Sequence, residues 1–302
     1  MTSLVDPSDL RTHLGAAGVW LGSFSEASAR EVREAAAGIE ELGYSALWTP
    51  EVPFGREALT QAALLLSATR NLRVATGIAN IYVRDAVAAA NGARTLAEAW
   101  DDRFVLGLGV SHAPLVTSRG HDYSRPLAYM RAYLDAMDES TFGPAVPAQP
   151  PRLLAALRRG MLELAANRAQ GAHTYFVTPE HTARARQTLG AGPVLAVEQA
   201  VVVDTDPARA RRTARDYAAF YLQMPNYTNN LRELGFSDED FADGGSDALI
   251  DAVIPWGDPD TLARTFRAHY EAGADHVCVQ PLAGTLDAQM ESLRRLAPIL
   301  VA

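Results

Sequence analysis

The chain has 302 residues, of which 48% are hydrophobic, and a formal net charge of −9. We interpret it as one domain over residues 1–302, and its negative charge argues against general nucleic-acid binding. The longest apolar runs, such as residues 62–66, fall far short of the ~20 residues that a membrane span needs. The first residues lack a secretory pattern, and a single cysteine, Cys278, excludes an internal disulfide or a cysteine-rich zinc site. We therefore expect a cytoplasmic protein that acts on a small molecule, with no metal, membrane or nucleic acid involved.

All 27 basic residues are arginine, and lysine does not occur. This excludes every mechanism that needs a lysine Schiff base, including lysine-dependent aldolases and pyridoxal-phosphate enzymes. It also excludes the lysine of a phosphate-binding P-loop.

Eight short apolar segments alternate with amphipathic stretches that have readable helix ends. One such stretch covers 28–42 and stops at Gly43, and another covers 258–273 and opens with an aspartate and a proline. The pattern predicts a parallel (β/α)8 barrel. A doubly wound sheet is the alternative, but the glycine-rich turn typical of its first strand is missing. The predicted strands cover 18–22, 44–48, 73–78, 104–110, 152–157, 173–177, 194–203 and 275–280.

Two segments interrupt the alternation. Residues 217–255 stand where one connecting helix is expected, and we predict an insertion of two or three extra helices before the last strand. The proline-rich stretch 143–151 is interpreted as a linker into the fifth strand.

In such a barrel the chemistry collects where strands end and the following loops begin. His112 is the strongest candidate, because the fourth predicted strand fixes its position. Within that strand Gly107 and Gly109 are two apart and share one face. Glycine inside a strand often marks close approach by a ligand. Together with Gly77, these residues predict a slot at the barrel mouth that fits a flat ring system.

Three blocks, EELGYSALWTPE, LRVATGIANIYVRD and DDRFVLGLGVSHAPL, follow one another in order, and AGADHVCVQPL forms the last strand. In this the chain resembles the bacterial luciferase-like, flavin- or deazaflavin-dependent oxidoreductases over nearly its whole length. It looks closest to an actinobacterial subgroup that uses coenzyme F420 rather than FMN. The resemblance implies a luciferase-like TIM barrel, and members are commonly homodimers.

The resemblance also implies roles for particular residues. A non-proline cis peptide follows the third strand in the family, and Gly77–Ile78 is the matching bond. Glu51 holds an acidic position against the polar edge of the cofactor ring, although Val52 replaces the histidine often found beside it. His112 stands where related alcohol-oxidising enzymes carry a glutamate. The remaining cofactor-binding candidates are Trp48, Ala79, Asn80, Gly109, Val110 and Ser111, with Arg158, Arg159 and Gly160 for the phosphate in place of a glycine-rich loop.

These assignments predict an F420-dependent oxidoreductase. Hydride moves between the deazaflavin C5 and a small organic substrate, and His112 donates or accepts the proton. Glu51 is the second catalytic candidate. One alternative is an FMN-dependent monooxygenase that uses reduced flavin and oxygen. Another is a barrel that binds a flavin-like ligand without catalysis.

Overall fold

A computed structural model describes residues 6–144 and 149–301 of the chain. The predicted linker over 143–151 lies partly outside the described residues. None of the helices in the described ranges is long and apolar enough to cross a membrane.

The strands form one closed parallel barrel, and the predicted (β/α)8 architecture is confirmed. Neighbours run in the order β3-β2-β1-β9-β8-β7-β6-β5-β4, and pairing of β3 with β5 closes the ring, which excludes the doubly wound sheet. Because β3 and β4 both pair with β5, they are two parts of one barrel position. The strands are β1 Ala17–Trp20, β2 Ala46–Thr49, β3 Arg73–Thr76, β4 Ala79–Asn80, β5 Phe104–Gly109, β6 Arg152–Ala155, β7 Gly171–Thr174, β8 Val194–Val201 and β9 His276–Pro281.

Helices surround the barrel, and their ends follow the capping residues of the sequence. Ser28 and Glu31 form a reciprocal capping box at the start of α2. The helices are α1 Pro7–Leu14, α2 Ala29–Glu41, α3 Ala58–Ala68, α4 Ala86–Ala99, α5 Ala113–Thr117, α6 Pro126–Glu139, α7 Arg159–Arg168, α8 Pro179–Leu189, α9 Pro207–Tyr221, α10 Pro225–Glu233, α11 Asp247–Val253, α12 Pro259–Glu271 and α13 Leu286–Leu300.

Each strand sends alternate side chains into the barrel and out against the helices. On β8, Val194 and Ala196 join the interior cluster, whereas Leu195 and Val197 join the large cluster between strands and helices. Both faces are buried, which is why the strands are apolar runs with little polar alternation.

The predicted helical insertion is confirmed, although its first residues up to Tyr221 belong to the connecting helix α9. It consists of α10, a 3-10 segment at Asp238–Gly244 and α11. These elements form an apolar cluster with Phe176 and Ala200, which stand at the carboxyl ends of β7 and β8. The insertion therefore covers one side of the barrel mouth.

Candidate functional site at the barrel mouth

Residues Gly77 and Ile78 interrupt the third barrel position between β3 and β4. Their peptide bond is cis, as the resemblance implies. The Gly77 N–H donates to the Thr49 carbonyl over 2.8 Å, and the Ile78 carbonyl accepts from the Glu51 N–H over 3.2 Å. The segment, which we call the cis bulge, is thus held by the end of β2.

The slot predicted at Gly107 and Gly109 is filled by the protein itself, and that interpretation is wrong. A Cβ atom on Gly107 would lie 1.9 Å from the carbonyl oxygen of Thr76. A Cβ atom on Gly109 would lie 2.4 Å from Cγ1 of Ile78. The two glycines therefore admit the backbone and side chain of the cis bulge, and any ligand lies beyond Ile78 and does not contact Gly109 directly.

Glu51 is fully engaged in holding this loop. One carboxylate oxygen accepts the Asn80 N–H over 2.8 Å, and the other accepts the Ala58 N–H over 3.2 Å. Arg84 also donates to it, and the two side chains are only 10% and 6% exposed for Arg84 and Glu51. Such a carboxylate is already paired and desolvated, so we correct its assignment from a catalytic residue to a positioning residue.

Trp48 does not line the mouth, contrary to the prediction. It is 0% exposed, stacks on His173 with ring centroids 4.5 Å apart, and donates its indole N–H to Nε2 of His276 over 3.0 Å. Trp20 lies nearer the site. A Cβ on Gly77 would lie 2.6 Å from Trp20 Nε1, which has no partner among the described residues.

The remaining site candidates that follow β3 and β5 differ in where they pack. Ala79 is buried in the outer core between barrel and helices, so that assignment is corrected, whereas Val110 is half-buried against this core and its cofactor role stays a prediction. The side-chain oxygen of Asn80 accepts the Tyr82 N–H over 3.0 Å and shapes the loop. Ser111 adopts a left-handed φ of 57°, and its carbonyl accepts the Tyr123 hydroxyl over 2.9 Å.

His112 lies at the mouth, half-buried, as the sequence predicts. Its ring centroid is 5.5 Å from that of Tyr227 and 6.3 Å from that of Phe220. Nδ1 is buried and finds no hydrogen-bond partner within the described ranges. Burial lowers the pKa of His112 below its ordinary value, while a side-chain hydrogen bond with Asn226 acts in the opposite direction. The imidazole is therefore neutral at pH 7 and can accept a proton.

An aromatic cluster stands beside His112, on strand ends and on the insertion. Its members are Tyr175, Phe176, Tyr217, Phe220, Tyr221 and Tyr227, whose neighbouring ring centroids are 4.9–6.5 Å apart. The sequence did not predict this cluster. Tyr217, Phe220 and Tyr221 have the spacing of an ordinary buried helix face on α9, and only the fold places the cluster over the mouth.

A chain of hydroxyl groups runs through this cluster. The Tyr175 hydroxyl contacts those of Tyr217 and Tyr221, and Tyr217 donates to Oε1 of Gln280 over 3.0 Å. Beneath the cluster, Glu198 is 1% exposed and accepts the Phe176 N–H over 3.1 Å. Burial raises the pKa of Glu198 to about 8, because no charged partner within residues 6–144 and 149–301 compensates the carboxylate.

The predicted phosphate residues follow β6, which stands between β5 and β7 in the barrel, so they lie on the same side of the mouth as His112 and the aromatic cluster. Arg158 and Arg159 are exposed at the start of α7, and Arg159 pairs with Glu163 over 2.7 Å. A Cβ on Gly160 would lie 3.2 Å from Cδ2 of Leu127, which places the starts of α6 and α7 side by side. A cleft of about 420 Å³ opens beside α6, lined by Tyr82, Asp122, Ser124, Arg125 and Tyr129.

Comparison with known proteins gives consistent matches over the whole fold. The model of the family described as luciferase-like monooxygenase matches residues 2–276. A 5,10-methylenetetrahydromethanopterin reductase of Archaeoglobus fulgidus is 23% identical over 283 residues, covering 79% of this chain and 85% of that protein.

Solved structures agree on the fold. The coenzyme F420-dependent tetrahydromethanopterin reductase of Methanopyrus kandleri superposes with a TM-score of 0.78 at 18% identity, covering 95% of this chain and 98% of that one. An F420-dependent secondary alcohol dehydrogenase bound to an F420–acetone adduct gives 0.75 at 15% identity, covering 95% and 99%. The FMN-bound oxygenating component of 3,6-diketocamphane monooxygenase of Pseudomonas putida gives 0.72 at 15% identity, covering 95% and 98%.

Proposed function

We propose an activity from one premise: this chain belongs to the luciferase-like monooxygenase family, whose related proteins here are oxidoreductases and monooxygenases. The proposed activity is hydride transfer between coenzyme F420 and a small organic substrate, with His112 handling the proton. A neutral, half-buried imidazole with a free Nδ1 at the mouth is the observation that carries it. The predicted homodimer remains a prediction.

The polar atoms left over at the mouth fit a cofactor with a polar ring. Trp20 Nε1, Tyr82 Oη and His112 Nδ1 are buried without partners in the part of the chain that the structure describes. Unpaired buried polar atoms are costly, so groups of this kind commonly meet a ligand or water. The half-buried Ile78 of the cis bulge would support the ring. Arg158 and Arg159, with the free N–H groups at the start of α7, would take its phosphate.

F420 supplies a hydride acceptor or donor at C5, and the protein has to position the substrate and move one proton. His112 is neutral at pH 7 because burial lowers its pKa. It is therefore suited to accept the proton of an alcohol as hydride leaves the carbon. In the reverse direction the imidazolium returns that proton to the oxygen of the reduced carbonyl. Glu51 acts indirectly, because it fixes the loop that bears Asn80 and the cis bulge.

The FMN-dependent monooxygenase remains the second candidate, because the superposed 3,6-diketocamphane component contains FMN on the same fold. It would need reduced flavin and oxygen. The two candidates separate by cofactor binding and by oxygen consumption during turnover. The non-catalytic binder differs from both by having no turnover with either cofactor.

Substitution of His112 tests its role. We expect His112→Ala to leave F420 affinity within a few-fold and to reduce turnover by ~100-fold or more. His121→Ala is the matched control, since His121 is an exposed histidine of the following loop. In the oxidation direction, turnover should rise with pH through an inflection below the ordinary histidine pKa and then stay level. Unchanged turnover in His112→Ala would refute the assignment.

A further inference from the structure

The surroundings of His112 are aromatic. Tyr227 lies on one side, tilted by 51°, and Phe220 meets the imidazole edge-on at 76°. Behind them, Phe176 lies 5.5 Å from Tyr227 between ring centroids. Rings in these offset and edge-on arrangements attract other rings, so the environment favours a flat apolar group.

Among the described residues, no arginine lies over the rings around His112: the two cation–π contacts are those of Arg211 with Trp256 and of Arg232 with Phe241. The pKa of Tyr227 is raised by burial and by Tyr221, Glu198 and Tyr123, all of them acids. A phosphate or carboxylate placed against these rings would lose its hydration without contacting an arginine.

The three phenols of this hydroxyl chain leave no spare hydrogen for a substrate. Three hydroxyl hydrogens are available in the chain of Tyr221, Tyr175 and Tyr217. If Tyr221 donates to Tyr175, Tyr175 to Tyr217, and Tyr217 to Gln280, all three are used within the chain. The unpartnered Nδ1 of His112 is a polar contact that the site offers.

Phe220 is the ring that covers His112 most loosely. It is the last residue but one of α9 and is 44% exposed, unlike the buried Tyr227. A phenyl ring half in water is held weakly, so it can turn away. The place it occupies against His112 is then free for the ring of a ligand.

We propose that the substrate of this site is a neutral aryl alcohol or aryl ketone whose ring replaces Phe220 beside His112 and Tyr227 and whose single oxygen bonds His112. The proposal rests on the proposed function for the direction of the chemistry, and it adds the substrate class. The alcohol loses hydride from its carbon to F420 and its hydroxyl proton to His112, which leaves the ketone.

Equilibrium binding measurements can test the proposed substrate class without any measurement of turnover. 1-Phenylethanol, ethylbenzene and 4-(1-hydroxyethyl)benzoate are titrated into the protein with and without saturating F420. We expect 1-phenylethanol to bind about tenfold more tightly than ethylbenzene, as one hydrogen bond from its hydroxyl to His112 allows, and the gap to vanish in His112→Phe. We expect 4-(1-hydroxyethyl)benzoate to bind at least about tenfold more weakly than 1-phenylethanol because of its charge.

Phe220→Ala removes the competing ring, so 1-phenylethanol and ethylbenzene should both bind several-fold more tightly. Phe54→Ala, at another exposed phenylalanine, should change neither. Equal or tighter binding of 4-(1-hydroxyethyl)benzoate, or an oxygen-dependent gap that survives in His112→Phe, overturns the proposal. So does the absence of 1-phenylethanol binding with and without F420. The F420 titration tests the proposed function separately, so either can fail alone.

Discussion

Replacing Gly109 by alanine tests why β5 carries two glycines. The added Cβ would lie 2.4 Å from Cγ1 and 2.6 Å from Cδ1 of Ile78, well inside contact distance. These atoms belong to a side chain that can shift, so the cost is that of overpacking, about 1–3 kcal/mol. In Gly107→Ala the obstacle is the Thr76 carbonyl oxygen at 1.9 Å. Backbone atoms cannot shift as easily as a side chain, so Gly107→Ala should lose more unfolding free energy than Gly109→Ala.

The assay is urea unfolding of the cofactor-free protein, followed by circular dichroism. Gly192→Ala is the matched control, because a Cβ there meets nothing within 4 Å. We expect the loss of unfolding free energy to increase from Gly192→Ala to Gly109→Ala to Gly107→Ala.

A double-mutant cycle identifies the cause. Ile78→Ala deletes the atoms that the new Cβ meets, so Gly109→Ala should cost much less in that background. The coupling should be about 1–3 kcal/mol in favour of the double mutant. If Gly109→Ala costs the same in both backgrounds, the glycine is not there to admit Ile78, and our account of the cis bulge is refuted.

Two further predictions concern buried carboxylates. Glu51→Gln leaves the buried Arg84 with Glu57 as its remaining ionic partner, so the free energy of unfolding should fall by about 3 kcal/mol. Glu163→Gln, which breaks an exposed ion pair, should cost under about 1 kcal/mol. Equal losses of unfolding free energy in urea would contradict this. The pKa of Glu198 is raised from 4.5 to about 8, so the folded state holds more protons between these values and stability falls as pH rises. The slope is at most about 1.4 kcal/mol per pH unit. Glu198→Gln should abolish this component in urea unfolding across pH 5–8, and a slope identical to wild type would rule out the buried carboxyl as its source.

The barrel and its strand positions were predictable because periodicity reports burial. Parallel strands covered on both faces appear as short apolar runs, and helix caps such as Ser28 separate them. His112 was predictable for the same reason, since β5 fixes where the following loop begins.

Side-chain direction was the part that the sequence left open. Trp48 and Trp20 both follow apolar runs, yet Trp48 hydrogen-bonds to His276 deep in the barrel and Trp20 lies against Gly77. The purpose of Gly107 and Gly109 depends on what approaches them, which is a tertiary fact. Here it is the protein's own cis bulge.

The aromatic cluster was missed because its residues lie far apart in the sequence. Tyr175 follows β7, and Tyr217 and Tyr221 lie on α9. Only the path of the insertion over the strand ends brings them together. Tertiary placement decides which apolar helix face becomes a site and which becomes core.

Cofactor choice is the central claim, and its most direct test is a titration of the cofactor-free protein with F420 and, separately, with FMN. Quenching of tryptophan fluorescence is the readout, with Trp20→Phe to show that the indole beside the cis bulge reports it. We predict micromolar binding of F420, much weaker binding of FMN, and loss of most of the quenching in Trp20→Phe. Tight binding of FMN without F420, or binding of neither, would contradict the account.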